Sequence, residues 1–423
     1  MKFVLANWGT RGEIEPFVAI GRELVNRGHE VHIAVAPEMV DFAEAAGPVA
    51  VPYGPTLKET LDPHRDFWVV LFSTPWKIRQ LGSLLADVAI PMRRERPNVR
   101  QTLMSLTHDA DVLCTGMNYE DVAANVAESC GVELATLQVF PLRANGRLLS
   151  FLPPSLGWRL MELSESLSWR GDRKADDQAE RLELGLPRAT GPWQDRIADR
   201  DAVEIQAYDA VLYPSLAQDW AKWGNRRPFV GAVTLALPTD RDAETAAWIA
   251  AGTPPICFSF GSVGVESSGA TFEMISSACA ALGERALICA AGSDFAGIGC
   301  PPHVKVVGLM NYAETLPSCR AFAHHGGAGT TNAGLRAGLP TLILWTLPDQ
   351  GLWSARVKRL KVGTGRRFSA ATTKTLVKDL RRILALSYAQ RARDIASRMT
   401  TAAESVTASA EILEAVARRT GSR

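Results

Sequence analysis

The feature that most constrains this chain is a glycine-rich turn between a short apolar run and a helix-permissive segment. The run Ala321–Ala323 has the character of a buried parallel strand, and residues 324–332 then read His-His-Gly-Gly-Ala-Gly-Thr-Thr-Asn. Glycines let the backbone approach a ligand closely, and the free N–H groups of a following helix point at an anion. A second apolar run, Thr341–Leu344, leads to Asp349 and Gln350. This pattern predicts a binding site for a diphosphate joined to a sugar.

Apolar runs alternate with helical patterns along most of the 423 residues, which predicts an α/β fold with parallel sheets. A charged stretch with two prolines, from Pro228 to Asp242, separates two similar α/β patterns and is predicted to be a linker. From Thr375 onward the pattern is helical. Strands are predicted at Phe3–Ala6, Val31–Val35, Val112–Cys114, Leu134–Leu137, Ala210–Tyr213, Pro255–Phe260, Ala286–Cys289, Val304–Val307, Ala321–Ala323 and Thr341–Leu344.

Two segments rich in aromatic residues and proline interrupt the alternation, Pro63–Pro97 and Phe140–Trp169. Long irregular segments inside an α/β domain are usually functional loops or lids, which is one interpretation of both. The alternative is that they are helices whose aromatic residues pack against the sheet, and it fits most of these residues taken one at a time.

The composition excludes several classes of protein. Lys and Arg total 46 and Asp and Glu total 45, so no field that would attract nucleic acid is implied. The seven cysteines are scattered, with no Cys-x-x-Cys pair, which argues against disulfides and a zinc site. The chain opens with a first strand rather than a signal peptide, and no apolar run approaches the ~18 residues of a membrane span. A soluble cytoplasmic protein is expected. A peripheral contact with anionic lipid at the inner membrane face is left open by Arg93, Arg94, Arg96 and Arg100, against the alternative of a solvated helix face.

A second turn, near the start of the chain, has the same character. Residues 8–16 read Trp-Gly-Thr-Arg-Gly-Glu-Ile-Glu-Pro. Together with residues 324–350, this segment resembles the motifs of the inverting, metal-independent glycosyltransferases with the GT-B fold, within the UDP-glycosyltransferase superfamily. The chain is similar to the bacterial branch that acts on natural products and glycolipids, including the vancomycin-group and glycopeptidolipid enzymes, and to sterol glucosyltransferases. The resemblance covers most of the chain and is weakest from Pro63 to Arg200.

This resemblance implies two Rossmann-like domains whose parallel sheets face a central cleft. Residues 1–228 would bind the acceptor and residues 243–390 the nucleotide sugar, with residues 229–242 as the linker. Residues 391–423 would form a helical segment that returns to the first domain. The implied reaction moves a hexose or deoxyhexose from a UDP- or dTDP-sugar to a hydroxyl of a lipophilic natural product, glycolipid or sterol. It proceeds with inversion and without metal, and the nucleotide sugar is a co-substrate rather than a cofactor.

The resemblance also assigns residues to these tasks. Glu13 stands where the bacterial branch has Asp and is the candidate general base, with Glu15 as its competitor; a helix N-terminal carboxylate without a catalytic role is the alternative for both. His325 would contact the diphosphate and stabilise the leaving group. The other donor residues implied are Thr10, Arg11, Gly261, Ser262, Gly327, Gly329, Thr330 and Thr331 for the diphosphate, Asp349, Gln350 and Trp345 for the sugar, and Leu309 and Met310 for the nucleoside. The acceptor side is assigned to Trp8, Trp68, Phe72 and Phe140.

Three other functions remain open at this stage. A nucleotide-sugar epimerase can share the fold, although the aromatic segments argue for an acceptor. A nicotinamide oxidoreductase is disfavoured because neither glycine-rich turn completes the G-x-G-x-x-G pattern. A non-catalytic relative that binds only the donor is favoured by one feature, Glu13 in place of Asp. The sequence leaves the sugar, the base, the acceptor and the oligomeric state unassigned.

Overall fold

The computed structural model describes residues 1–74, 76–148, 152–236, 238–261, 267–290, 295 and 299–420. The chain divides into two compact units, Met1–Leu235 with Thr400–Arg423, and Ala236–Met399. The first break falls within residues 229–242. The return to the first unit begins at Thr400 rather than at residue 391, because residues 391–399 belong to the second unit. Arg393, for example, lies next to Gly338 of that unit.

The first unit is built around a parallel sheet that has six strands among the described residues, in the order β3-β2-β1-β4-β5-β6. The strands are β1 (Lys2–Ala6), β2 (Glu30–Val35), β3 (Val49–Pro52), β4 (Val112–Thr115), β5 (Glu133–Gln138) and β6 (Val203–Gln206). The helices are α1 (Arg11–Asn26), α2 (Val40–Glu44), α3 (Leu57–Ser73), α4 (Ile78–Arg94), α5 (Arg96–Thr107), α6 (Glu120–Cys130), α7 (Pro154–Ser168), α8 (Lys174–Glu183), α9 (Trp193–Asp199) and α10 (Pro214–Trp220).

The second unit repeats this plan, with the described strands in the order β12-β11-β10-β7-β8-β9, all parallel. They are β7 (Ile256–Ser259), β8 (Ala286–Cys289), β9 (Val304–Val307), β10 (Ala321–His324), β11 (Thr341–Trp345) and β12 (Gly363–Arg367). The helices are α11 (Asp242–Ala250), α12 (Ser268–Leu282), α13 (Tyr312–Thr315), α14 (Ala328–Arg336), α15 (Pro348–Leu360), α16 (Thr373–Ile383) and α17 (Leu386–Ala396). The predicted α/β class with parallel sheets is confirmed.

One predicted strand is wrong. Residues 210–213 contain a single 3-10 turn, Ala210–Leu212, and the strand lies earlier, at β6. The sequence of β6 hides it, because Val-Glu-Ile-Gln carries a carboxylate at a buried position. Glu204 is stabilised there by ion pairs with Arg143 and with Arg227, the latter at 2.9 Å. A buried charge with two partners does not follow the apolar pattern by which buried strands are recognised.

The segment Pro63–Pro97 is helical rather than irregular. Helix α3 contains Pro63 and α4 contains Pro91, so these two prolines lie inside helices, while Pro75 is outside the described residues. The second aromatic segment is mixed, since residues 139–148 are loop and α7 follows from Pro154.

Both sheets have the doubly wound strand order, in which the direction of winding reverses between two neighbouring strands. The reversal lies between β1 and β4 in the first unit and between β10 and β7 in the second. Ligands of such sheets bind at the carboxyl ends of the strands beside the reversal. The two glycine-rich turns follow β1 and β10, so each stands at the reversal point of its own sheet.

The last helix, α18 (Ala402–Thr420), belongs to the first unit. It packs against α1, β4 and β5. Glu414 on α18 lies 3.0 Å from Nε2 of His29 and 3.4 Å from Arg27, and Thr400 donates its backbone N–H to Asp209. These polar contacts hold the C-terminal segment on this unit.

Candidate active site

The turn after β10 is shaped by glycines that a larger residue would disrupt. Gly326 has a φ of +101°, and a β-carbon there would lie 2.6 Å from Ile343 and 3.1 Å from Gln350. Gly327 is the N-cap of α14, and a β-carbon on it would lie 2.6 Å from Nε2 of His325. The backbone therefore reverses tightly here and brings the start of α14 next to the end of the strand.

The His325 ring is enclosed by two glycines. A β-carbon on Gly261, where φ is +70°, would lie 2.6 Å from Cε1 of the ring, and the ring also borders Gly327. The backbone N–H of His325 donates to the carbonyl of Ser259 at the end of β7, at 3.2 Å. Nδ1 has no hydrogen-bond partner among the described residues. Burial lowers the pKa of His325 from 6.5 to about 4, so the ring is neutral near pH 7 and acts there as an N–H donor rather than a cation.

His324, the neighbouring residue, supports the turn. Its side chain is fully buried, and Nδ1 accepts the backbone N–H of Gly326 at 3.0 Å. Its ring lies 4.6 Å from that of Phe322, and burial lowers its pKa well below the usual value. The two histidines therefore have different environments, as expected for adjacent residues at a strand end.

The first turn of α14 carries donors suited to an anion. The N–H groups of Ala328, Gly329 and Thr330 precede the first i−4 hydrogen bond of the helix, which Thr331 donates to Gly327. The N-cap residue, Gly327, has no side chain to cap this end, and a β-carbon on Gly329 would meet nothing within 4 Å. The hydroxyl of Thr331 is buried and donates to the Gly327 carbonyl at 2.8 Å, so it stabilises the helix start. A negative group placed here would also be stabilised by the helix dipole.

The turn after β11 presents the predicted sugar-binding pair. Oε1 of Gln350 accepts the N–H groups of Thr346 and Leu347, at 2.9 and 3.1 Å, so this side chain fixes the start of α15. Asp349 is exposed beside it, and Trp345 is partly exposed with the guanidinium of Arg367 5.2 Å above its ring. The turn thus combines an exposed carboxylate with an aromatic face.

The other residues assigned to the donor in the second unit are Leu309, Met310 and Ser262. Met310 is buried in the core, and Leu309 is exposed beside it, with 53% of its surface accessible. Ser262 lies outside the described residues. A residue pair that the sequence did not single out is Ser259 and Tyr312, whose hydroxyls are 2.6 Å apart at the end of β7. Neither stands in a recognisable motif.

The turn after β1 in the first unit is closed by its own carboxylate. Glu13 folds back so that its Oε2 accepts the N–H of Thr10 at 2.8 Å. A β-carbon on Gly9 would collide with that carboxylate, so glycine is needed for the close approach. Asn7, at the end of β1, donates to the Glu13 carbonyl at 3.0 Å, while its own buried Oδ1 has no partner among the described residues. Asn7 was missed by the sequence analysis; its only signal is a polar residue that ends an apolar run.

The competing carboxylate, Glu15, is held by structural contacts. Its Oε2 receives Nε of Arg11 at 3.2 Å, and its Oε1 receives the backbone N–H of Leu235 at 3.1 Å. The guanidinium of Arg11 also lies 4.9 Å from the centre of the Phe42 ring. Glu15 therefore ties α1 to the end of the unit.

Sequence comparisons support a family assignment. Residues 3–85 match the glycosyltransferase family 28 N-terminal domain, and residues 278–418 match the C-terminal domain of proteins like erythromycin biosynthesis protein CIII. A protein of Mycobacterium tuberculosis named as an uncharacterized glycosyltransferase is 50% identical over 421 residues, 99% of this chain and 100% of that protein. A sterol 3-beta-glucosyltransferase of Arabidopsis thaliana is 27% identical over 86% of this chain and 57% of that protein.

The chain is a glycosyltransferase of the UDP-glycosyltransferase superfamily.

Solved structures agree on the fold of this glycosyltransferase. The calicheamicin glycosyltransferase CalG4 aligns with a TM-score of 0.72 at 18% identity, over 99% of this chain and 98% of that chain. The glycosyltransferase VinC, solved in complex with dTDP, aligns with a TM-score of 0.64 at 20% identity, over 99% and 100% of the two chains. The predicted GT-B fold is confirmed.

The aromatic residues assigned to the acceptor side of the glycosyltransferase are only partly described. Trp8 is buried, donates its indole N–H to the Pro55 carbonyl at 2.7 Å and borders Gly54, so it packs within the first unit. Phe140 is buried as well, with 6% of its surface accessible. Trp68 and Phe72 lie on α3, and their side chains are outside the described part of the chain.

The arginines considered for lipid contact are all paired. Arg93 binds Asp176, Arg94 binds Glu59, Arg96 binds both Asp121 and Glu180, and Arg100 binds Glu183. These side chains therefore form a balanced surface rather than a positive one. No helix within the described ranges is long and apolar enough to cross a membrane. In the same ranges, no group of three or more His, Cys, Asp or Glu side chains is placed to hold a metal ion.

Proposed function

We propose that this glycosyltransferase moves a hexose or deoxyhexose from a UDP- or dTDP-sugar to a hydroxyl of a lipophilic acceptor such as a natural product, a glycolipid or a sterol. The observation that carries the donor half is the enclosed, neutral His325 ring beside the uncapped start of α14. A diphosphate matches N–H donors that converge at a helix N-terminus. The dTDP bound by VinC is the same chemistry in a protein of the same fold.

The leaving diphosphate would be stabilised without a metal ion. The N–H groups of residues 328–330 and the dipole of α14 supply the positive end of the interaction. His325 adds one N–H donor, because burial keeps its ring neutral before the ligand arrives. A positive charge on His325 is therefore not needed for this step. Donors aimed at developing charge are typically worth 10²–10³ in rate.

Glu13 would accept the proton of the attacking hydroxyl. Its carboxylate stands at the start of α1 and accepts the Thr10 N–H, and Asn7, in the preceding turn, donates to the Glu13 carbonyl. Direct attack of the hydroxyl on the anomeric carbon, with loss of the diphosphate from the opposite face, gives inversion in a single displacement. General-base assistance of this kind contributes about 10²–10⁴-fold. Thr10, Arg11 and Ser262 remain predicted diphosphate contacts, and Asp349 and Trp345 remain predicted sugar contacts.

The acceptor is proposed to be lipophilic on two grounds. The first unit has aromatic residues at α3, and the 27%-identical Arabidopsis protein is named for a sterol substrate. The proposed location is the cytoplasm, where the enzyme would meet such an acceptor at the inner face of the membrane.

The test is release of nucleoside diphosphate from UDP-, dTDP- and GDP-sugars, with EDTA present, with and without a pooled lipophilic extract. We expect release that requires an acceptor and disappears in His325→Ala and in Glu13→Ala. The matched controls are His32→Ala, at an exposed pair with Glu30, and Glu23→Ala on the same helix as Glu13; both are expected to keep full activity. Donor binding without release, or an epimerised sugar without transfer, would contradict the proposal.

A further inference from the structure

A cavity of about 490 Å³ lies in the second unit, beyond β12. It is called the basic pocket here and is lined by Lys358, Thr364, Arg366, Lys378, Asp379 and Arg382. These residues come from the C-terminal half of α15, from β12 and from α16. None of them is among the residues assigned to the donor or the acceptor, so the basic pocket is a separate feature of the unit.

The charge in the basic pocket is unbalanced. Four cationic side chains face one carboxylate, and that carboxylate is committed, because Asp379 accepts Nε of Arg366 at 2.7 Å. Within the described residues, Lys358, Lys378 and Arg382 have no carboxylate within 4 Å, and Arg382 donates instead to the Tyr388 hydroxyl at 2.9 Å. Burial lowers the pKa of Lys358, and neighbouring arginines add to this while Asp379 opposes it. The cations at this point repel one another, and Asp379, which is paired with Arg366, is the one carboxylate that faces them in the pocket.

This imbalance is a local departure from the rest of the chain. Residues 356–382 contain ten Lys and Arg and a single acidic residue, whereas the whole chain has 46 basic and 45 acidic residues. The arginine run on α4 and α5 differs, since Arg93, Arg94, Arg96 and Arg100 all have acidic partners. Solvated surface cations are normally interspersed with acids, so a cavity that concentrates one sign points to a ligand of the other.

The position of the basic pocket also allows a ligand to enter. Strand β12 is at the edge of the described sheet and pairs only with β11. Its outer side is therefore not covered by another strand, and the cavity lies along it. Lys378 and Arg382 are exposed, so they can reorient toward a bound group. Flexible ammonium groups and an arginine fork suit phosphate oxygens well.

We propose that the basic pocket binds a multiply charged phosphate group, presented either by an anionic lipid headgroup or by a free phosphate compound. Such a group would neutralise the cations that Asp379 leaves unbalanced. This site does not depend on the proposed function, since it shares no residue with the donor site. A lipid headgroup would hold the enzyme at a membrane; a free phosphate compound would be a second small-molecule ligand.

The test compares the wild type, Lys378→Glu/Arg382→Glu, and the control Lys374→Glu, which changes an exposed charge on the same helix outside the basic pocket. One arm measures inorganic pyrophosphate binding by calorimetry. The other measures co-sedimentation with phosphatidylcholine vesicles, with and without phosphatidylglycerol. Thermal melting verifies folding, and Lys378→Gln serves as a milder variant if the double variant melts early.

We expect the double variant to bind one of these probes about tenfold or more weakly, while Lys374→Glu stays near the wild type. A second pyrophosphate site that the double variant loses identifies a free phosphate ligand. Loss of phosphatidylglycerol-dependent sedimentation, with pyrophosphate binding unchanged, identifies a headgroup. If the folded double variant, or the milder one, matches the wild type in both arms, the proposal is overturned.

Discussion

The two glycine-rich turns of this glycosyltransferase share one design and differ in what faces the helix start. Each follows a strand at the reversal point of a doubly wound sheet and leads directly into a helix. At α1 the carboxylate of Glu13 folds back onto the Thr10 N–H. At α14 the N-cap residue is Gly327, which has no side chain to cap the helix, so within the described part of the chain the N–H groups of residues 328–330 can face a ligand.

The difference decides which charge each turn accepts. The carboxylate at the start of α1 caps its own helix, and it is the group at this turn that can accept a proton. The α14 turn has the neutral His325 and no carboxylate in its first turn, so it suits an anion. The same backbone frame thus serves two roles according to one side chain at the third helical position.

The largest effect is expected from Glu13→Gln. The amide oxygen can still accept the Thr10 N–H, so the helix cap is kept while the base is lost. We expect kcat to fall about 10²–10⁴-fold with an unchanged melting temperature. Glu13→Ala should lose both the helix cap and the base, and it should destabilise the fold by roughly 1 kcal/mol. Steady-state kinetics and thermal melting give the readouts. An active Glu13→Gln enzyme would make Glu13 a helix cap only.

The α14 turn is tested by Gly261→Ala. A β-carbon at this position would meet the His325 ring at 2.6 Å and would require a left-handed conformation. We expect donor affinity to fall roughly tenfold or more and stability by about 1–3 kcal/mol. The control Gly269→Ala lies on α12, where a β-carbon meets nothing within 4 Å, and should leave donor affinity intact. Equal donor affinity in both variants, measured by calorimetry, would argue against the enclosed ring as the donor contact.

The neutral state of His325 predicts a pH dependence. Because burial lowers its pKa from 6.5 to about 4, the unfolded chain binds a proton between these values and the folded chain does not. The free energy of unfolding should therefore fall as the pH drops from about 7 to about 4, and recover as it rises. His325→Asn should show a shallower fall than the wild type in melting scans across this range. Parallel curves would mean that His325 is not held neutral by the fold.

The smallest expected effect separates the two threonines of α14. The Thr331 hydroxyl donates to Gly327, so Thr331→Val should lower stability by about 0.5–1.5 kcal/mol with little change in donor affinity. Thr330→Val should do the reverse and raise the KM for the donor a few-fold. The paired measurement is melting temperature against donor KM. A change of KM in Thr331→Val alone would reverse the assignment of the two hydroxyls.

Much of this architecture could be predicted because apolar alternation is a local signal. Nine of the predicted strands appear among the described elements, and both turns lie where their motifs placed them. The exceptions have a physical cause. Three strands were missed, β3, β6 and β12. Strand β3 has only four residues, ends in Pro52 and buries few of its side chains, so its pattern is weak. Strand β6 carries Glu204, whose burial depends on two arginines distant in sequence, and β12 reads Gly-Thr-Gly-Arg-Arg, with no apolar run at all. Strands β6 and β12 are set by neighbours that the local pattern does not reveal.

The sequence alone determined the fold class, the two turns and the chemistry that each can offer, because glycine positions, strand patterning and side-chain types are local properties. The tertiary structure decided which groups remain available for that chemistry. It tied Glu15 to the backbone of Leu235, and it enclosed the His325 ring against Gly261 and kept that ring neutral. Hydrogen bonding and desolvation depend on residues brought together from distant parts of the chain, and for that reason only the folded chain reveals them.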